Sequence, residues 1–254
     1  MAKAEFRFYE ELNDFLPPSR RKRDFSIRIN LGETVKHAIE ACGIPHTEVE
    51  LILVNGKSVD FSCHILDGDR ISVYPQFETF DISPVLIVRA QPVRNTRFIA
   101  DVHLGGLARY LRMLGFDTLY NSEYTDEQIA QISANDRRIV LTRDRDLLMH
   151  KIITHGRYVR ARKARKQLIE VVKSLDLYRS FALFSRCIDC NTHLVPVDKE
   201  KIKERLQPDT QRYFTHFVLC PSCDQIYWQG SHYRRMQHFF MDVFGEERID
   251  LSSQ

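Results

Sequence analysis

The chain has 254 residues with a formal net charge of +3 at pH 7, and 43% of its residues are hydrophobic. This length and hydrophobic share indicate a globular protein of two or three domains, each able to bury a core. No apolar run approaches the roughly 20 residues of a membrane-spanning helix, and residues 1–10 lack a signal-peptide core, so we expect a cytoplasmic protein without a membrane partner.

Residues 1–90 form the first predicted segment. The apolar residues alternate as in a hairpin around 6–9 and 25–29, and a helix is predicted from Thr34 to Gly43, a residue type that often ends helices. A strand at 51–54, a tight turn at Asn55 and Gly56, and a last strand at 71–74 complete the order ββαββ. This order predicts a β-grasp fold.

Three short motifs in this segment resemble the ubiquitin-like sulfur carriers of the ThiS and MoaD type: GIPHTEV at 43–49, VNGK at 54–57 and DGDR at 67–70. The resemblance implies a β-grasp domain. Carriers of that type end in a free Gly-Gly, whereas this chain continues through Pro75, Gln76, Phe77 and Glu78. We therefore expect a docking domain with a protein partner, or one that presents substrate, and no sulfur-carrier chemistry.

A linker containing Pro84 and Pro92 leads to the second segment, residues 95–180. Strands are predicted at 97–100, 116–120, 138–142 and near Tyr158, separated by helices at 104–114 and from Thr125, where Gln128 completes a capping-box pattern. Strands that alternate with helices predict a parallel α/β sheet.

Acidic residues follow the strand ends of this predicted sheet. Asp101 and Asp144 come just after two strands, and Asp126 starts a helix at the same edge. Since ligands of open parallel sheets bind beyond the carboxyl ends of the strands, we expect the three carboxylates to converge. Clustered carboxylates repel one another unless a cation neutralises them, and oxygen ligands suit Mg²⁺ or Mn²⁺. Such a centre activates water for attack on a phosphodiester.

Structural interpretations of the same acids stay open at this point. Asp126 can serve the helix dipole alone, and Asp144 and Asp146 stand among arginines with which they can pair.

Residues 181–254 contain two Cys-x-x-Cys pairs, Cys187 with Cys190 and Cys220 with Cys223, separated by 29 residues. Each pair fits a turn that offers two thiolates to one tetrahedral ion, so we predict a structural zinc ribbon with an insertion near 199–206. A disulfide or redox pair is the weaker alternative.

The second and third segments together resemble the Mut-seven C-terminal RNase family, a branch of the PIN-like nucleases, through FIADVHLGGLARYLRMLG at 98–115 and LTRDRD at 141–146. The match covers about 95–245, and the family also occurs fused behind a ubiquitin-like domain. Carried over residue by residue, the resemblance implies acidic metal-binding positions at Asp101, Asp126 and Asp144, with Asp146 as a candidate fourth catalytic acid.

Basic charge concentrates in the middle third. Residues 91–180 hold 17 Lys and Arg against 10 Asp and Glu, whereas residues 1–90 hold 11 against 14 and residues 181–254 hold 9 against 10. This excess favours a polyanionic partner, although a solvated basic surface gives the same count. The predicted RNA-binding residues are Arg109, Arg112, Arg143, Arg160, Arg162, Lys163 and Arg165.

These patterns predict a metal-dependent ribonuclease that cleaves RNA through a carboxylate-held Mg²⁺ or Mn²⁺, with a structural zinc ribbon that aids RNA binding. Two alternatives remain open: a non-catalytic RNA- or ribosome-binding adaptor, and a phosphohydrolase that acts on small phosphate esters.

Overall fold

The structure is a computed structural model that describes residues 2–30, 32–75, 96–245 and 247. The predicted linker with Pro84 and Pro92 and the stretch 76–78 lie outside the described residues. The chain divides into two compact units, Met1–His103 with Ser122–Arg160, and Leu104–Asn121 with Ala161–Gln254. The α/β segment contributes to both. No helix among the described residues is long and apolar enough to cross a bilayer.

The first unit begins with a five-stranded sheet and one helix packed on it. Their bounds are β1 Lys3–Phe8, β2 Phe25–Arg28, α1 Val35–Ala41, β3 Leu51–Val54, β4 Lys57–Val59 and β5 Arg70–Tyr74. The strand order is β2-β1-β5-β3-β4. The neighbours β1 and β5 are parallel, and the other pairs are antiparallel. The predicted β-grasp fold is confirmed, with β4 added to the predicted order.

Local signals explain the bounds of these elements. The Thr34 hydroxyl accepts a hydrogen bond from the His37 amide and caps α1, which buries Val35, Ala38 and Ile39 on one face. The predicted turn between β3 and β4 uses left-handed backbone at both Asn55 (φ 51°) and Gly56 (φ 80°), as a tight hairpin requires.

The α/β segment has the alternating order predicted from its sequence. Its helices and strands are β6 Arg97–Ala100, α2 Gly105–Met113, β7 Asp117–Leu119, α3 Asp126–Asp136, β8 Ile139–Thr142, α4 Arg145–Leu148, β9 Gly156–Tyr158 and α5 Ala164–Ser174. In the first unit β8 pairs in parallel with both β6 and β9. All four residues of β8 are buried, as a central parallel strand requires. The predicted capping box of Thr125 and Gln128 is present at the start of α3.

A buried carboxylate joins the β-grasp segment to strand β9 within the first unit. The fully buried side chain of Glu48 accepts a hydrogen bond from the Tyr158 amide at 2.6 Å. Its other oxygen lies 3.8 Å from Arg157 and 3.4 Å from Arg160. Arg160 also pairs with Asp14 at 3.1 Å. The excess positive charge at the start of the basic stretch is therefore offset inside the protein.

The second unit holds the cysteine module. Its elements are β10 Val195–Val197, α6 Lys199–Ile202, α7 Pro208–Tyr213, β11 Phe217–Leu219, β12 Ile226–Trp228 and α8 Ser231–Phe244. The three strands form an antiparallel sheet in the order β10-β11-β12. The predicted insertion near 199–206 contains α6, and the structure extends it through α7 to Tyr213. Its Ile202 and Leu206 are buried against Phe217. Helix α8 carries its own apolar face of Met236, Phe240 and Phe244.

Candidate active site and metal centre

Two of the predicted acids lie at the carboxyl ends of neighbouring parallel strands. Asp101 follows β6 directly, and its amide donates to the Leu141 carbonyl of β8 at 2.9 Å. Asp144 follows β8 by two residues and is the N-cap of α4. The third acid, Asp126, is the first residue of α3 and is exposed, as is Asp144. Asp101 is buried.

A threonine that the sequence prediction missed links the two strand-end acids. The fully buried Thr142 hydroxyl donates to Asp101 Oδ2 at 2.6 Å and accepts from the Asp144 amide at 2.9 Å. The other oxygen of Asp101 accepts from the Val102 amide at 2.5 Å. With both oxygens hydrogen-bonded, the Asp101 carboxylate has one orientation. In the sequence, the only indication of this role was that Thr142 ends a predicted strand two residues before an acid.

The charges of Asp101 and Asp144 act on the third acid, Asp126. Partial desolvation of the exposed Asp126 side chain, followed by the charges of Asp144, Asp101 and Glu127, raises its pKa above the usual value, and His150 acts in the opposite direction. Like charges disfavour the ionised form of a carboxyl group. A bound cation would relieve this repulsion.

The donor set fits a hard divalent cation. The candidate ligands are carboxylate oxygens, which Mg²⁺ and Mn²⁺ prefer. In the described parts of the chain, the one group of three or more metal-binding side chains whose ligand atoms all lie within 4.8 Å is the set of four cysteines. Among the described residues the three aspartates do not form such a group, and what connects Asp126 to the other two is the effect of their charges on its pKa.

The candidate fourth acid, Asp146, lies in the first turn of α4 and is exposed. Its amide donates to Asp144 Oδ1 at 2.8 Å, so its backbone orients the side chain of Asp144. A ligand role for its own carboxylate stays a prediction.

The elevated pKa of Asp126 gives a testable expectation for the metal-free protein. Asp144→Asn removes one of the repelling charges and should lower the pKa of Asp126 towards its ordinary value. Carbon-13 NMR titration of the side-chain carboxyls measures this directly. Asp146→Asn is the matched control, because Asp146 is not among the main causes of the shift and its loss should change the pKa of Asp126 much less. An equal effect of both variants would contradict a specific cluster.

Arg112 corrects one prediction. It was expected to contact RNA, but it is buried, and its guanidinium donates to the carbonyls of Thr118, Ile188 and Asp189 at 2.8–3.0 Å. Burial lowers its pKa from the ordinary value. Arg112 therefore holds the first cysteine turn, and its neighbour Arg109 pairs with Asp189 at 2.6 Å.

Other predicted RNA-binding arginines also have partners within the protein. Arg143 donates to the Arg160 carbonyl at 3.1 Å, and Arg160 is engaged by Asp14 and Glu48. Arg165, although exposed, lies over the Phe239 ring at 4.6 Å. Arg162 and Lys163 are exposed and make no ion pair with the described residues. Among the predicted RNA-binding residues, these two are the most available for contact with RNA.

The four cysteines converge as predicted. Sγ of Cys187 lies 3.5 Å from that of Cys223, and Sγ of Cys190 lies 3.3 Å from that of Cys220. In each pair the second amide donates to the first sulfur, at 3.4 Å in Cys187–Cys190 and 3.5 Å in Cys220–Cys223. Four sulfurs within 4.8 Å of one another could hold one tetrahedral ion, and thiolate ligands suit zinc.

Residues outside the Cys-x-x-Cys pairs complete this centre. The Tyr227 hydroxyl lies 3.1 Å from Cys187 Sγ. Asn191 adopts left-handed backbone (φ 72°) after Cys190 and uses its side chain to accept from the Thr118 amide at 2.9 Å. Burial raises the pKa of Cys190, but its hydrogen bonds with Thr192, Cys220 and Cys187 outweigh this effect and lower the pKa to about 6. The thiolate is the form in which a cysteine binds a cation.

Comparisons with known protein families gave two matches. A family model described as the Mut7-C RNAse domain matches residues 96–240. A second, described as Mut7-C ubiquitin, matches residues 1–81. Curated proteins and solved structures gave no match.

Proposed function

Because the RNase-domain model spans more than half of the chain, the protein belongs to the Mut7-C RNase family, and from this premise we propose that it is a metal-dependent ribonuclease of the PIN-like type. The observation that carries the proposal is the position of Asp101 and Asp144 just after neighbouring parallel strands, where the Thr142 hydroxyl contacts both the Asp101 carboxylate and the Asp144 amide. The predicted fusion to a ubiquitin-like domain is confirmed by the second match.

The proposed chemistry is hydrolysis of an RNA phosphodiester. When bound by the three carboxylates, Mg²⁺ or Mn²⁺ would lower the pKa of a water molecule and offset the charge that develops on the phosphate. The protein itself positions the carboxylate side chains. Hydrogen bonds from Thr142 and Val102 orient the Asp101 carboxylate, and one from the Asp146 amide orients that of Asp144, which would limit the freedom that these side chains lose when they bind an ion.

A cleavage assay tests this proposal and separates it from both alternatives. Purified protein with Mg²⁺ or Mn²⁺ should cleave single-stranded RNA and leave p-nitrophenyl phosphate intact. Binding of RNA without cleavage would favour the adaptor, and cleavage of the small ester would favour a phosphohydrolase.

Zinc is proposed as the ion of the cysteine centre. Four thiolates close the coordination sphere of zinc, so the ion would be structural and would leave no position for water or substrate. The three domains of the proposal are residues 1–90, 95–180 and 181–254, and the family matches at 1–81 and 96–240 support the first boundary.

The β-grasp segment is proposed as a docking domain. Its Glu48, Glu11 and Asp14 are already committed to Arg157 and Arg160 of the α/β segment. A sulfur carrier needs a free carboxyl terminus, and here the chain continues into the RNase segment. A thiocarboxylate at the junction of the two segments in cells would contradict this role.

RNA should bind the exposed cations that precede and begin α5. Arg162, Lys163 and Lys166 are exposed and make no ion pair with the described residues. Replacing all three by Ala should weaken binding to every single-stranded RNA alike and flatten the log-log salt slope by about two, since each phosphate contact contributes about 0.7. Fluorescence anisotropy with labelled RNA at several salt concentrations measures both effects.

A triple variant with the same loss of charge serves as control for this cationic patch. Arg20, Lys22 and Arg23 are exposed in the β-grasp segment, and their replacement by Ala should leave the slope unchanged. Equal slopes in the two variants would show that net charge alone attracts RNA.

A further inference from the structure

The zinc ribbon has a cleft between its inserted residues and strand β12. The cleft has a volume of about 250 Å³ and is lined by Arg205, Leu206, Gln207, Thr210, Asp224, Gln225, Ile226 and Trp228. This volume is below the roughly 300–1,000 Å³ of pockets that enclose drug-sized molecules, so the cleft suits one flat ring system. None of the residues that line it is one of the candidate acids or one of the four cysteines.

Strand alternation explains why a large aromatic side chain faces this cleft. Successive residues of a strand point to opposite faces, so Tyr227 faces the cysteine centre while Ile226 and Trp228 face the cleft. Phe217, which is buried, supports the indole at a ring-centroid distance of 6.4 Å. Trp228 itself is 37% exposed. A large aromatic ring that is supported on one side and open on the other is a stacking platform.

The polar groups at the cleft suit the edge of a nucleobase. The amide side chains of Gln207 and Gln225 are exposed and each offers a donor and an acceptor. Arg205 is anchored to Asp224 at 3.1 Å, which fixes a guanidinium at the cleft. The insertion from Lys199 to Tyr213 carries five cations and three acids, and Asp224 offsets Arg205, which leaves a net charge of +1 that favours a nearby phosphate backbone.

We propose that this cleft binds one unpaired base of single-stranded RNA, stacked on Trp228. The proposal rests on the proposed ribonuclease function and names where the ribbon contacts the substrate. A paired base cannot enter a cleft of this size without leaving its helix. Proteins commonly recognise RNA through unpaired bases stacked on aromatic side chains.

The chain contains a single tryptophan, so fluorescence excited at a wavelength that tyrosine does not absorb reports on Trp228 alone. We expect saturable quenching when unstructured single-stranded RNA is added to Asp101→Asn protein, which should not cleave it. Annealing the complementary strand should abolish the quenching. Heparin, a polyanion without bases, should not quench. Absence of quenching by single-stranded RNA, or equal quenching by heparin, would overturn the proposal.

Variants give an independent measure by anisotropy of labelled RNA. Trp228→Ala should weaken binding by about 5- to 100-fold, since base stacking on an aromatic ring is lost, whereas Trp228→Phe keeps a ring and should stay near wild type. Tyr213→Ala is the matched control, because Tyr213 is 67% exposed on the same insertion but does not line the cleft. Equal losses in Tyr213→Ala and Trp228→Ala would overturn the assignment to the cleft. Zinc content shows whether each variant is folded.

The outcome is separable from that of the proposed function. RNA cleavage by wild-type protein without fluorescence quenching would exclude the base-binding cleft but not the proposed ribonuclease function. Fluorescence quenching in wild-type protein that cleaves no RNA would exclude the ribonuclease function but not the base-binding cleft.

Discussion

Asp101→Asn should lower metal-dependent RNA cleavage roughly a thousandfold or more, because the charge of a buried, oriented ligand disappears while its volume is kept. The Asn oxygen can still accept from Thr142, but its amide would face the Val102 N–H, so some stability is also lost. Single-turnover cleavage with saturating Mn²⁺, together with a thermal melt, separates the two effects.

Asp144→Asn should lower metal-dependent RNA cleavage in the same way and should cost less stability. Asp144 is exposed, and an Asn oxygen can accept from the Asp146 amide as the carboxylate does. Asp176→Asn is the matched control, since Asp176 is exposed with left-handed backbone (φ 45°) that Asn tolerates. Wild-type cleavage by both folded site variants would exclude these acids from the reaction.

Cys187→Ser or Cys220→Ser should remove the ion from the cysteine centre and unfold the ribbon. Wild-type protein is expected to contain about one zinc per chain, and both residues are buried. Binding of structural zinc contributes on the order of 10–16 kcal/mol in zinc-finger peptides, so its loss exceeds what the small core of Ile202, Leu206 and Phe217 can offset. Elemental analysis and limited proteolysis measure the two consequences.

The chain provides matched controls for this experiment. Cys42 and Cys63 belong to the β-grasp segment, and Cys42→Ser and Cys63→Ser should leave the zinc content at its wild-type level. Burial raises the pKa of the Cys42 thiol to about 11, so it stays protonated at neutral pH and does not compete for the ion. Zinc-free wild-type protein with a disulfide in each Cys-x-x-Cys pair would show that the centre is not a metal site.

Much of the architecture follows from short-range patterns that the sequence displays directly. Thr34 and the pair Thr125 and Gln128 cap helices as predicted, and Asn55-Gly56 forms the expected turn. These features depend on residues at most four positions apart. The two Cys-x-x-Cys pairs also follow from the sequence, because each pair forms its own turn. Only the approach of the two turns to one ion-sized site depends on the tertiary structure.

Tertiary structure alone decided which charged side chains remain available. The basic stretch looked uniform in sequence, yet Arg157 and Arg160 meet Glu11, Glu48 and Asp14, which lie more than 100 residues earlier, while Arg162 and Lys163 stay exposed. The hydropathy pattern of a sequence predicts which apolar residues are buried. An ion pair between distant residues forms only where the fold brings their two segments together.

The same reason explains the residues that were missed or misassigned. Arg112 was predicted to bind RNA and instead donates to carbonyls 76 and 77 residues away, and Thr142 orients Asp101 across 41 residues. Sequence determined the kind of residue at each strand end and cysteine turn, because chemistry and local backbone preference are encoded locally. The hydrogen-bond partners that orient those residues were decided only by the fold, since a donor or acceptor is satisfied by whichever group packing brings within about 3 Å.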